Sequence, residues 1–245
     1  MITSKQNSLI KQIRSLADKK FRDRLNQYIV EGVKLVKEAL ALNLPVIAVV
    51  GTESVLANLS TQGVRVESVS QEVFEYITTE VTPQGVLAII EKPKEEKLSV
   101  KDSCILLDGV ADPSNMGAVI RTAVASGYDT VYMTEDSADP FSPKAVRASM
   151  GGVFRIKTVR ANREELISLI NLPIIVADMN GENLFECDCP KEFCLVIGNE
   201  GHGVSKQLRE RAYKTVSIPM QNDMESLNAA VSAGLLMYTL KNRVL

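Results

Sequence analysis

Apolar positions recur at helical spacing over residues 8–16 and 33–42, and a third, shorter helical stretch lies near residues 53–59. Between and after them, β-branched or aliphatic runs predict strands at 28–30, 46–50, 64–67 and 86–90, which together describe a small α/β sandwich. A charged, proline-bearing stretch, Glu91-Lys92-Pro93-Lys94-Glu95-Glu96-Lys97, has no apolar period and reads as a linker, so two domains are expected, 1–96 and 97–245. Beyond it, continuous apolar runs at 104–107, 130–133, 154–159, 174–177, 194–197 and 215–218 alternate with helical segments. That alternation predicts a parallel sheet covered by helices on both faces, with ligand groups in the loops at the carboxyl ends of the strands.

At 245 residues with 45% hydrophobic and 24% charged positions, the chain can bury two moderate cores. No apolar run is long enough to cross a bilayer, and the amino terminus lacks the apolar core of a signal peptide, so a cytoplasmic protein is expected. Of the four cysteines, Cys104 and Cys194 fall in apolar strands, and Cys187-Asp188-Cys189 is spaced too tightly for a zinc knuckle; no metal is expected. His202 is the only histidine, which excludes two-histidine metal motifs. Lys and Arg number 28 against 30 Asp and Glu, which argues against a chain coated with nucleic acid. Residues 1–24 depart from that balance: Lys5, Lys11, Arg14, Lys19, Lys20, Arg22 and Arg24 face only Asp18 and Asp23, a patch suited either to phosphates or to plain solvation.

Three loops carry candidate chemistry. Asp108-Gly109-Val110-Ala111-Asp112-Pro113-Ser114-Asn115-Met116-Gly117 follows an apolar strand, supplies a turn and a helix cap, and leads to Arg121, whose rigid fork suits a phosphate or a developing oxyanion. Gly198-Asn199-Glu200-Gly201-His202-Gly203 places three glycines directly after a strand, where the backbone can pass close to a ligand; its spacing is neither the dinucleotide fingerprint nor a phosphate loop. Ile218-Pro219-Met220 is followed by Glu225-Ser226-Leu227-Asn228-Ala229-Ala230 and a final helix at 231–240. Asp223 or Ser226 is placed to cap that helix, and Ala229, Ala230, Ala233 and Gly234 allow close packing.

In this order, the three loops resemble the signature motifs of the SpoU (TrmH-like) branch of the SPOUT RNA methyltransferases: Asn115-x-Gly117-x-x-x-Arg121, then residues 198–203, then Ile218-Pro219-Met220 with Glu225-Ser226-Leu227-Asn228-Ala229-Ala230-Val231-Ser232. Ser142-Pro143-Lys144-Ala145-Val146-Arg147-Ala148-Ser149 resembles the family's text between the first two motifs, and Met150-Gly151-Gly152 departs slightly from it. Val30-Glu31-Gly32-Val33-Lys34-Leu35-Val36 resembles the family's substrate-binding domain, related to ribosomal protein L30e. The resemblance implies an α/β catalytic domain whose parallel sheet ends in a trefoil knot, an exception to the rule against threaded chains. It also implies bent S-adenosylmethionine held at Gly198, Asn199, Gly201, Ile218, Met220 and Leu227, a homodimer, and an RNA substrate, ribosomal rather than transfer RNA, recognised by the smaller amino-terminal domain. Arg121, Asn115, Glu200, Asn228 and Ser226 are the catalytic candidates it carries over. The rivals are a tRNA ribose methyltransferase, an RNA-binding protein of this fold without catalysis, and a nucleotide-dependent oxidoreductase, the last disfavoured by the missing dinucleotide glycines.

Overall fold

The computed structural model describes residues 1–61, 63–94 and 102–242, so the boundary expected between residues 96 and 97 lies outside the described residues. The described chain forms two compact units: Met1–Lys94 with Phe141–Phe154, and residues 102–140 with Arg155 onward.

The first unit contains α1 (Ser8–Ser15), α2 (Lys19–Leu25), β1 (Gln27–Glu31), α3 (Val33–Ala41), β2 (Val46–Gly51), α4 (Glu53–Leu56), β3 (Val66–Ser68), α5 (Gln71–Ile77) and β4 (Val86–Glu91). Its strands are ordered β1-β4-β2-β3, with β4 antiparallel to both neighbours and β2 parallel to β3. The helix expected at 8–16 is α1, which buries Leu9, Ile10 and Ile13 and begins where the Asn7 side chain accepts from the Leu9 amide at 2.9 Å. The strand expected at 64–67 is β3, which starts at Val66 instead.

The basic segment is less free than its composition implies. Arg22, on α2, is only 3% exposed, and its Nη1 donates to the carbonyls of Leu16 at 2.8 Å and Ala17 at 2.7 Å, so it closes the open end of α1. Lys19 and Lys92 pair with Asp23, and Lys5 pairs with Glu72. Within the same unit, α7 (Pro143–Ser149) opens on a Ser142 cap and ends at Met150 in the left-handed region, φ 49°.

The second unit is built on six parallel strands: β5 (Cys104–Asp108), β6 (Thr130–Thr134), β7 (Lys157–Ala161), β8 (Ile174–Asn183), β9 (Cys194–Gly198) and β10 (Ala212–Ser217), ordered β10-β8-β9-β5-β6-β7. The helices are α6 (Pro113–Ala125), α8 (Arg163–Leu169), α9 (Lys206–Glu210) and α10 (Ala229–Asn242). Every residue of β5 is buried, as its unbroken apolar run predicts for a strand covered on both faces. Cys104 and Cys194 are neighbours across β5 and β9, buried as small apolar groups.

Three strands differ from expectation, and one of them, β10, begins at Ala212, three residues before the run expected at 215–218. The run at 154–159 starts instead at Lys157, because Gly152–Phe154 closes a tight 3-10 turn after Gly151 at φ 84°. The run at 174–177 continues to Asn183 through polar residues, which pair with Val216 and Ser217 of β10 after a shift in register. No helix among the described residues is long and apolar enough to cross a membrane.

Replacing Arg22 with Met removes both bonds to the α1 carbonyls while keeping the apolar stem. Urea unfolding should show a loss of about 1–3 kcal/mol, the usual effect of stranding buried acceptors; a change under about 0.5 kcal/mol would show that Arg22 does not secure α1.

Candidate functional site

The carboxyl ends of β5 and β9 are paired, Asp108 opposite Gly198, so the first two candidate loops leave the sheet side by side. After β5 the chain turns at Gly109, and the Asp112 side chain then accepts from the amides of Ser114 at 2.6 Å and Asn115 at 3.1 Å, capping α6 as expected. Pro113 occupies the first position of the helix, where its missing N–H costs nothing. Asn115 therefore sits in the first turn of α6.

After β9, residues 199–203 close a tight turn in which the amide of Asn199 donates to the Gly203 carbonyl at 3.1 Å and the amide of Gly203 returns to the Asn199 carbonyl at 2.9 Å. A Cβ on Gly198 would stand 2.3 Å from the Gly203 carbonyl carbon, so the backbone passes too close for any other residue. The Asn199 side chain stitches this turn internally and outward: Oδ1 accepts from the amides of Gly201 and His202, and Nδ2 donates to the Gly109 carbonyl at 2.7 Å.

Glu200 points to the first loop. Its Oε1 accepts from Asn115 Nδ2 at 2.8 Å and its Oε2 from the Ala111 amide at 3.3 Å. Asn115 Oδ1 in turn accepts from Asn228 Nδ2 at 3.0 Å. Asn228 directly precedes α10, and its own Oδ1 accepts from the amides of Ala230 at 2.9 Å and Val231 at 3.3 Å. It is thus the helix cap, in place of the expected Asp223 or Ser226, because it alone stands one residue before the first helical position. The side-chain amide of Asn115 consequently joins all three loops through one chain of bonds.

Not every candidate enters that chain. Ser226 is exposed and has no hydrogen-bond partner among the described residues. Arg121 is also exposed, with no hydrogen bond or ion pair among the described residues. It lies six positions after Asn115, so the two side chains leave α6 roughly 120° apart. Ile218, Met220 and Leu227 lie on the third loop; Leu227 is 37% exposed. α6 and α10 pack closely where Gly234 faces the Thr122 methyl, as the small residues of the final helix predict. On the same helix Val231, Leu235 and Tyr238, four and then three positions apart, are 52%, 39% and 45% exposed, an apolar stripe facing outward.

The residues missed from sequence form a second layer. Asp108, 2% exposed, is bonded to Arg163, and Arg163 also holds Asp136. An acidic residue at the end of an otherwise apolar parallel strand is a signal for such a partner, since a buried charge must be compensated; nothing in the sequence marks Arg163. Among the described residues, no three His, Cys, Asp or Glu side chains converge as a metal would require.

Burial pushes the Glu200 carboxyl up, but the Asn115 amide and the backbone amides of Glu200, Ala111 and Asp112 outweigh it and hold the group below its ordinary 4.5. Glu200 is therefore a carboxylate at neutral pH, shaped as an acceptor for the loop network. A group lowered on folding contributes stability that is present above its unfolded value and lost as pH falls through its folded one. In an acid titration, the side-chain amide resonance of Asn115 should shift with a midpoint below 4.5, and Glu200→Gln should remove that shift. A midpoint at or above 4.5 would contradict the bonding described here.

Comparison with known proteins places this geometry in a family. A model of the SpoU rRNA methylase family matches residues 102–238, and one of the MRM3-like substrate-binding domain matches residues 7–88. The 23S rRNA (guanosine(2553)-2'-O)-methyltransferase RlmP of Bacillus subtilis is 34% identical over 98% of both chains. An AdoMet-bound rRNA methyltransferase from Sinorhizobium meliloti superposes with a TM-score of 0.87 at 32% identity, covering 100% of this chain and 98% of that one. The SpoU methyltransferase AviRb from Streptomyces viridochromogenes, in complex with AdoMet, gives 0.85 at 27% identity over 97% and 98%.

Proposed function

Because the chain belongs to the SpoU rRNA methylase family, we propose that it transfers a methyl group from S-adenosylmethionine to a ribose 2′-hydroxyl of 23S ribosomal RNA, and does so in the cytoplasm as a homodimer. The observation that carries this reading is the bridge from Glu200 through Asn115 to Asn228, which gathers the three motif loops at one end of the sheet. In this division residues 97–245 carry catalysis, with residues 198–228 following the knotted path of the family, and residues 1–96 bind the RNA.

The residues present suit the proposed cofactor. Met220 and Leu227 form no backbone hydrogen bonds among the described residues, and they offer apolar side chains beside free amides and carbonyls. That combination serves a purine, whose faces are apolar and whose edge needs donors and acceptors. Gly198, Asn199 and Gly201 would line one side of the pocket, Ile218, Met220 and Leu227 the other. When bound, the sulfonium supplies an electrophilic methyl group.

The protein's part is to place a ribose oxygen in line with that methyl and to manage the hydroxyl proton. Arg121 does the placing. It is unpaired among the described residues, and a guanidinium, which stays protonated in proteins, orients the hydroxyl or a neighbouring phosphate and stabilises charge building on the oxygen. Glu200, already engaged by Asn115 and Ala111, holds the loops together. Asn228 sets the start of α10, and Ser226, exposed beside it, is available to substrate. The outward stripe of Val231, Leu235 and Tyr238 supports a two-fold pairing through α10, with Arg121 on the adjoining helix near that interface.

Labelled S-adenosylmethionine and ribosomal RNA from a strain lacking this gene should yield labelled, alkali-resistant linkages, because a methylated 2′-oxygen cannot attack its phosphodiester. Label on a base instead would refute the assignment. Arg121→Ala should lower turnover by about a hundredfold or more while cofactor affinity stays within about twofold; loss of both would contradict the role given to Arg121.

A further inference from the structure

Asp108 closes β5 with its side chain 1% exposed, and its two oxygens serve two distant segments. Oδ1 accepts from Arg163 Nε at 2.6 Å, and Oδ2 accepts from the Ser205 amide at 2.7 Å. Across the sheet, the residue paired with Asp108 is Gly198. The glycine-rich turn therefore begins at the ladder partner of Asp108 and ends at the amide that its carboxylate holds, so one residue fixes both ends of the segment carrying Asn199 and Glu200, the first through its backbone and the second through its side chain.

Arg163 is what allows a charge at that depth. It stands at the start of α8, immediately after β7, and its Nη2 donates to Asp136 Oδ2 at 2.8 Å in the loop after β6. The same Asp136 oxygen lies 3.5 Å from where a Cβ on Gly109 would stand, which keeps the guanidinium bridge beside the first turn of the site. Removing one partner of a buried ion pair leaves the other uncompensated, and Asp108 would then be drawn toward water. That movement releases the Ser205 amide and with it the far end of the turn.

We propose that Asp108 and Arg163 are positioning residues for the methyl-donor turn: the buried carboxylate, compensated by Arg163, fixes residues 198–205 in the shape that receives S-adenosylmethionine. The inference rests on the donor site proposed above. Neither residue is among those assigned to touch the donor or the RNA; both act through the backbone of the turn.

Three variants of the full chain test this. Arg163→Lys keeps the charge but cannot bridge Asp108 and Asp136 together. Asp108→Asn keeps the shape but loses one of the two acceptors. Ser205→Pro removes the donated N–H, together with a buried hydroxyl that makes no hydrogen bond, at a position whose φ of −61° suits proline, and leaves the ion pair intact. Calorimetry with S-adenosylmethionine should give a Kd raised about ten- to a hundredfold, the loss expected for a hydrogen bond to a charged group, at a binding stoichiometry near one. Hydrogen exchange in the ligand-free protein should quicken at residues 199–205, and kcat at saturating donor and RNA should stay within about threefold. A purely structural role would instead lower the melting temperature and the stoichiometry while leaving Kd unchanged, and that result would overturn the proposal, as would unchanged exchange in Ser205→Pro. Failure of the unaltered protein to bind S-adenosylmethionine would count against the donor site itself.

Discussion

The side-chain amide of Asn115 has one donor end and one acceptor end committed to two different loops, Nδ2 to Glu200 and Oδ1 to Asn228, and the arrangement of the site depends on that double engagement. Each of the three loops bears glycine or proline and runs outside the helices and strands, so no regular ladder of backbone bonds defines its course. Loops of this kind hold a defined course where polar side chains tie them to one another. Asn115 can do this because Asp112 and Pro113 start α6 at the right residue, and Asn228 can because it caps α10 with the same side chain that reaches Asn115.

Beneath this layer the sheet supplies register. The pairing of Asp108 with Gly198 brings two loops together before any side chain acts, and the approach of Gly198 to Gly203 closes the second loop back on itself. The polar network is therefore the last step in a hierarchy: apolar strands set the spacing, glycines allow the backbone to turn within it, and the amides and carboxylates select one conformation. Arg121 stands apart from that hierarchy. An exposed cation with no hydrogen bond or ion pair among the described residues has no part in holding the loops.

Much of this was legible in the sequence. Apolar runs located β5, β6 and β9 to within a residue, because strands buried on both faces cannot hide their composition. Helices α2, α8 and α9 were not legible: they are short and charge-rich, and packing rather than periodicity holds them. The polar extension of β8 escaped for a similar reason, since its second half pairs with β10 by backbone bonds that any residue can make. The motif loops could be quoted in advance, but not the partnership of Asn115 with residues 85 and 113 positions away, nor that of Asp108 with Arg163. Contacts between polar residues that distant leave no periodic trace.

The most direct test of convergence is a double-mutant cycle for S-adenosylmethionine affinity on Asn115→Ala and Asn228→Ala. If the bond between them unites the donor loops, the second substitution should cost far less once the first is made, with a coupling energy on the order of 1 kcal/mol or more. Strict additivity, each loss independent of the other, would mean that the loops act separately and that one shared pocket does not exist.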